Sequence, residues 1–231
     1  MAVIDVDVWI WPLGLADTDV RRLEMLLSDD ERKRAARFLA PTHGAEYIAG
    51  RGRLREILAL YTGQPPEHLA FAYGGAGKPV LMGGDGMPQF NLSHSGGWAA
   101  LAVTAKHTIG IDIEATRPVT EDIAERFFSP AEVRAISAYA PVERPAAFFR
   151  CWTRKEAFVK ALGDGLNCPL DSFDVSIVDE DRPAVQRIAG VDASELACWR
   201  LINFTPAANV AGAIALKTGG ADDLVAVHFH G

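Results

Sequence analysis

Ile109-Gly110-Ile111-Asp112-Ile113-Glu114 sets an isoleucine at every second residue, the period of a strand with one buried face. Ile109, Ile111 and Ile113 then face a core, and Asp112 and Glu114 project together from the other side. Two carboxylates about 7 Å apart on one strand face repel each other unless a cation lies between them. Oxygen-only ligation of that kind suits Mg²⁺ rather than zinc. A solvated outer face of an edge strand is the alternative that this stretch alone leaves open.

Two neighbouring stretches bear on that choice. In Trp152-Thr153-Arg154-Lys155-Glu156-Ala157-Phe158-Val159-Lys160, helical spacing puts Trp152, Glu156 and Lys160 on one face and Cys151, Lys155, Val159 and Leu162 on another. Glu156 could complete a metal site with Lys160 one turn on to neutralise a phosphate. A plain Glu-to-Lys surface pair worth roughly 0.3–0.5 kcal/mol is the alternative. Upstream, Asn91-Leu92-Ser93-His94-Ser95-Gly96-Gly97-Trp98 interrupts a strand pattern with hydroxyls, an imidazole and glycines, a lining suited to phosphate oxygens. Ser93 and His94 are adjacent on a strand, point to opposite faces and cannot share a proton as a hydrolytic triad does. Nor do the six histidines show a zinc spacing.

The chain also echoes itself. Arg37-Phe38-Leu39-Ala40-Pro41 resembles Arg126-Phe127-Phe128-Ser129-Pro130, 89 residues on. A helix through Arg51, Leu54, Ile57, Leu58 and Leu60, then Gly63 and Phe71, matches one through Phe148, Cys151, Lys155, Val159 and Leu162, then Gly165 and Phe173, at an offset of 102. The second copy is therefore expected to carry about 13 extra residues before its long helix. Under that offset Lys155 and Glu156 correspond to Arg53 and Leu54, so only the second copy would keep the helical carboxylate. Strands are expected at Trp98 to Val103 and Ile109 to Ile113, and at Trp199 to Phe204 and Val210 to Leu216. Ser28 with Glu31, and Ser129 with Glu132, read as capping boxes at helix starts. Ala72 to Gln89, rich in glycine (Gly74, Gly75, Gly77, Gly83, Gly84, Gly86), reads as loop and turn. The expected fold is α+β: two pseudo-symmetric halves related by internal duplication, 1–105 and 106–231, with the carboxylates in the second.

Composition bounds the rest. At 231 residues and 49% apolar, the chain can bury a real core. A net charge of −7 argues against general nucleic-acid binding. Between Arg21 and Arg55, however, nine basic residues face five acids, a local patch for an anionic ligand or acidic partner unless it is the ordinary surface of two helices. Three scattered cysteines suggest reduced thiols. The acidic N-terminal stretch with Asp5 and Asp7, and the lack of a long uncharged apolar run, point to a cytoplasmic protein that does not cross a membrane.

Taken together and in order, these stretches resemble the Sfp-type 4′-phosphopantetheinyl transferase family. The matching stretches are Gly77-Lys78-Pro79, Asn91 to Ser95, Gly110 to Glu114, Arg126-Phe127-Phe128 and Trp152 to Lys160, within a region from about Ser28 to Phe173. The resemblance implies coenzyme A and Mg²⁺ in a cleft between the halves, and transfer of the phosphopantetheine arm to a serine of an apo acyl or peptidyl carrier protein. It implies Asp112, Glu114 and Glu156 as metal ligands, and Lys160 as a pyrophosphate contact that helps 3′,5′-ADP depart. Asp112, Glu156 and Lys160 form the catalytic set, with Glu156, or a water it holds on the metal, as the expected base. Gly77, Lys78, Pro79, Asn91, Ser93 and His94 are expected at the coenzyme, together with Asp112 and Lys160. Arg34 and Arg51 match basic positions facing its phosphates, although Glu31 stands where relatives often carry a basic residue. Chain length suggests a monomer. Two rival classes are a member that binds coenzyme A or a carrier without catalysis, and a metal-dependent nuclease, against which the acidic charge argues.

Overall fold

A computed structural model of the chain describes residues 2–74, 77–163, 168–178, 183–188 and 191–231. Gly75 and Gly165, both used in the reading above, lie outside the described residues. Strand β1 (Val3–Pro12) buries Ile4, Val6 and Val8 on one face and Trp11 on the other. Three helices follow: α1 (Asp17–Glu24), α2 (Asp29–Ala35) and the long α3 (Pro41–Thr62). Next come a short hairpin, β2 (Phe71–Tyr73) and β3 (Pro79–Leu81), and a longer one, β4 (Gln89–Ser95) and β5 (Trp98–Thr104). Strand β6 (Ile109–Ala115) then opens an equivalent series: α4 (Glu121–Phe127), α5 (Pro130–Ser137) and the long α6 (Arg144–Leu162). It continues through β7 (Phe173–Val175), β8 (Val185–Ile188), a short α7 (Ala193–Leu196), β9 (Trp199–Ala207), β10 (Val210–Lys217) and β11 (Leu224–His230).

The strands form two main sheets, ordered β11-β1-β5-β4 and β6-β10-β9, packed face to face. Ile4, Val6 and Val8 meet Ile109, Ile111, Ile113 and Ile214 in that middle layer. Leu54, Ile57 and Leu58 of α3 cover the outer face of the first sheet against Trp11 and Leu101, and α6 covers the second through Ala157, Phe158 and Ala161. The result is a helix, two sheets and a helix, with β5, β6 and β10 buried on both faces between a helix and the opposite sheet. Strand β11 returns to run parallel to β1. The strand ranges and both capping boxes agree with the sequence reading. Ala72 to Gln89 does not: it includes the three-residue pairing of β2 with β3, too short to show a period.

The duplication has a different register from the one expected. Arg37 to Pro41 leads into the long helix α3, but Arg126 to Pro130 leads into the short α5, so that echo is not a structural equivalence. The true matches are bonded alike. Ser28 and Ser129 both cap with a glutamate three residues on. Glu31 pairs with Arg55 at 2.7 Å, and Glu132 with Lys155 at 2.8 Å. Arg55 donates to the Pro66 and Leu69 carbonyls, Lys155 to those of Leu170 and Phe173. Gly63 and Gly163 end their helices in the left-handed conformation, φ 68° and 78°. The long helices thus align 100 residues apart, with no insertion of 13, and Glu156 corresponds to Glu56 rather than to Leu54. The helical carboxylate is present in both copies.

The strands carry the asymmetry. Trp11 pairs with Ala99, the second residue of β5, as Glu114 pairs with Ala211, the second residue of β10. Trp9 likewise pairs with Leu101 as Asp112 does with Ala213. Indoles in the first half therefore stand where the second has carboxylates. The basic stretch is also largely self-neutralised: Arg22, Arg32, Lys33, Arg51, Arg53 and Arg55 each pair with an acid. Among the described residues no helix is long and apolar enough to cross a membrane.

Candidate active site

Gly110 sets the close approach of strand to helix. A Cβ there would lie 2.0 Å from the Ala157 carbonyl oxygen, so α6 lies directly on β6 and brings Glu156 and Lys160 over Asp112 and Glu114. The third wall is β4, from the first half. Leu92, Ser93, His94, Asp112, Glu114, Trp152, Glu156 and Lys160 line a cleft of about 320 Å³. Six of these were expected from the sequence; Trp152 shares their helix face, and its ring is held by Phe127 and Phe148.

Polar geometry within the cleft is one-sided. Lys160 Nζ donates to Asp112 Oδ1 at 2.5 Å and to Ser93 Oγ at 3.0 Å. The Ser93 hydroxyl donates to the same Oδ1 at 2.9 Å. Asp112 Oδ2 is buried with no hydrogen-bond partner. Ser95 Oγ donates to Glu114 Oε2 at 2.8 Å, and Arg117 reaches that oxygen at 3.4 Å. Burial raises Asp112 above the ordinary aspartate value against the pull of Lys160, and the charge of Glu114 adds to the rise. Glu156 is raised too, by burial first and then by the charge of Asp112. Lys160 therefore pairs with Asp112 on the strand beneath its helix, not with Glu156 as a surface pair would, and Asp112 at 4% exposure is no solvated outer face, although β6 does edge its sheet.

Among the described residues no three His, Cys, Asp or Glu side chains are drawn together closely enough to hold a metal ion. The donor set nevertheless suits a hard divalent cation. It is all oxygen, its carboxylates repel one another, and one buried carboxylate oxygen is unsatisfied.

The remaining expected contacts are spread around this cleft. His94 and Arg51 line an adjoining groove of about 260 Å³ with Tyr47 and Phe38. Arg51 is engaged by Glu31, by the Tyr73 hydroxyl at 3.2 Å and by the Phe71 ring. Burial would raise Glu31, but Arg51 and Arg55 outweigh it and hold this carboxyl below the usual range. That accounts for an acid at this position: it closes a capping box and neutralises two buried guanidiniums. Arg34 lies over the Tyr47 ring in a separate cavity. Lys78 donates to the carbonyls of Ile109 (2.9 Å) and Lys160 (3.0 Å), and burial lowers its pKa to about 8. Gly77 (φ 78°) and Pro79, the first residue of β3, flank it. Asn91 accepts from the Ile111 N–H at 2.8 Å and joins β4 to β6. Ser95 was read only as part of the Asn91 to Trp98 stretch, with no role of its own, and Arg117 was not read as a site residue. Ser95 carried a signal, lying two residues from Ser93 on the same strand face, and Arg117 carried none.

Comparison with known proteins gives one answer. Residues 108–215 match the model of the 4′-phosphopantetheinyl transferase superfamily. The chain is 36% identical to the 4′-phosphopantetheinyl transferase HetI of Nostoc sp., over 94% of this chain and 89% of that protein. It is 36% identical to a 4′-phosphopantetheinyl transferase of Bacillus subtilis over 76% of each, and 30% identical to Sfp of the same species over 74% of this chain and 76% of Sfp. Among solved structures, holo-[acyl-carrier-protein] synthase of Thermotoga maritima aligns at a TM-score of 0.38 and 23% identity, over 49% of this chain and 64% of that one, too slight a likeness to carry an argument.

Proposed function

The chain belongs to the 4′-phosphopantetheinyl transferase superfamily, and from that premise we propose that it moves the 4′-phosphopantetheine arm of coenzyme A to a serine of apo acyl or peptidyl carrier proteins. The reaction releases 3′,5′-ADP and depends on Mg²⁺. The observation that carries this reading is the buried, unpartnered Asp112 Oδ2 beside Lys160 Nζ, in a cleft shared with Glu114 and Glu156.

Cleaving a pyrophosphate requires neutralising charge on both the reacting and the leaving phosphate. Asp112, Glu114 and Glu156 would hold Mg²⁺, whose chemistry there is to offset that charge. Lys160, anchored by Asp112 and Ser93, supplies a second cation and a donor for the leaving phosphate. Glu156 has no side-chain hydrogen bond or ion pair among the described residues, so its carboxylate can take the serine hydroxyl proton, directly or through a water it holds. His94, with Arg34 and Arg51 beyond it, marks the direction in which the rest of coenzyme A extends, and Gly77, Lys78, Pro79 and Asn91 support that wall. We take 1–105 and 106–231 as the two halves and the monomer as the working unit. Free thiols at Cys151, Cys168 and Cys198 suit a cytoplasmic setting.

The decisive assay incubates the protein with coenzyme A, Mg²⁺ and apo carrier domains from fatty-acid, polyketide and nonribosomal-peptide systems, read by intact mass. Each true substrate gains one phosphopantetheine, and its serine-to-alanine variant gains none. Coenzyme A binding with no mass gain on any carrier would identify a binder instead.

A further inference from the structure

The edge of β6 that faces β4 has no backbone ladder, because the two strands belong to different sheets. Its N–H groups are met by side chains instead. Ile111, Ile113 and Ala115 donate to Asn91 Oδ1, Ser93 Oγ and Ser95 Oγ at 2.8, 3.3 and 3.1 Å. A serine hydroxyl has a single proton, and one that accepts from a backbone N–H must send that proton elsewhere. In Ser93 and Ser95 it goes to the carboxylate one residue earlier on β6, Asp112 Oδ1 and Glu114 Oε2. The two carboxylates are treated alike. Ser93 and Lys160 both act on Oδ1 of Asp112, Ser95 and Arg117 both on Oε2 of Glu114, and the other oxygen of each has no donor among the described residues.

We propose that Ser95 is a positioning residue: its hydroxyl, held as a donor by the Ala115 N–H, orients Glu114 so that Oε1 is presented to the cation. The inference rests on reading Glu114 as a metal ligand. Groups that orient a ligating carboxylate typically change metal affinity or activity by 10–100-fold when removed. A pure sheet contact would change stability alone.

The test compares Ser95→Ala, Ser95→Thr and Glu114→Gln by calorimetric titration with Mn²⁺ and by the Mg²⁺ concentration giving half-maximal transfer. Ser95→Ala should weaken Mn²⁺ binding and raise the Mg²⁺ requirement about tenfold. Its KM for coenzyme A at saturating Mg²⁺ should stay within about twofold of the parent, and Ser95→Thr should restore both metal readouts. If Glu114→Gln shifts the metal readouts and Ser95→Ala does not, the inference fails while the ligand reading stands. If Glu114→Gln leaves them unmoved, the ligand reading fails and this inference with it. A threonine variant as impaired as alanine also overturns the proposal, because the hydroxyl is then not the cause. Should the alanine variant not fold, Ser95→Cys keeps the size with a weaker donor, and wild-type Mn²⁺ binding in that variant refutes the role.

Discussion

Trp9, Trp11, Glu56 and Leu60 in the first half stand where Asp112, Glu114, Glu156 and Lys160 stand in the second. The frames agree down to the glutamate that caps a short helix and pairs with a buried cation. The contents differ in charge. Glu56 is neutralised by Arg22 and Arg53, whereas Glu156 has no ion pair among the described residues and is pushed up by burial beside Asp112. A duplicated frame can thus keep its fold while one copy holds polar groups in repulsion and the other fills the same positions with indole. The gap between strand and helix differs as well. Gly110 lets α6 touch β6, while Asp7, two residues before Trp9 as Gly110 is two before Asp112, is bonded by Tyr61 of α3 at 2.8 Å.

The largest expected effect tests that difference in charge. Glu156→Gln should lower transfer by about 10²-fold or more, in the range of a lost general base, while Glu56→Gln stays within about twofold and loses only exposed pairs worth under about 1 kcal/mol. Equal losses in the two variants would erase the functional distinction between the copies.

Next come the buried pairs the halves share. Breaking one by removing a partner costs about 3–5 kcal/mol, so Glu31→Gln and Glu132→Gln should both lower urea stability on that scale, Glu31→Gln the more because it strands two guanidiniums. Glu31 also makes a pH prediction. Its folded pKa lies below the unfolded one, so its stabilisation is complete above about pH 4.3, the ordinary glutamate value, and is lost as pH falls through the folded value. Glu31→Gln should flatten that acid limb in urea titrations; an unchanged slope would show that the pair is not ionised as described.

Smaller again is Gly110→Ala, expected to cost about 1–3 kcal/mol as overpacking and to reduce transfer by lifting α6 from β6. Full activity at lowered stability would separate the packing from the site. The last concerns Lys78. With a folded pKa of about 8 and an unfolded one near 10.4, the unfolded chain binds more protons between them, so stability should rise over that interval. Lys78→Met should remove the rise in thermal midpoint.

Much of this molecule was legible in its sequence. The period-two isoleucines placed Asp112 and Glu114 on one face, the helical spacing set Glu156 above Lys160, and both capping boxes were readable, because each signal spans fewer than ten residues. The register of the repeat was misread, because Arg-Phe-x-x-Pro is a local string that can open either helix, whereas the true equivalence lies in which carbonyls Arg55 and Lys155 reach. Glu31 looked like a defect in a basic grip until its two arginines, 20 and 24 residues away, closed on it.

The carboxylate pair with which the sequence reading began was determined by sequence alone as a pair: alternation admits no other face for Asp112 and Glu114. Tertiary structure alone decided what surrounds them. Lys160 turned from its helix neighbour Glu156 to Asp112, and serines of the other half supplied the acceptors that the β6 edge lacks. The physical reason is that periodicity encodes which side a residue faces, while the partner it meets there depends on contacts between segments that nothing in the local chain specifies.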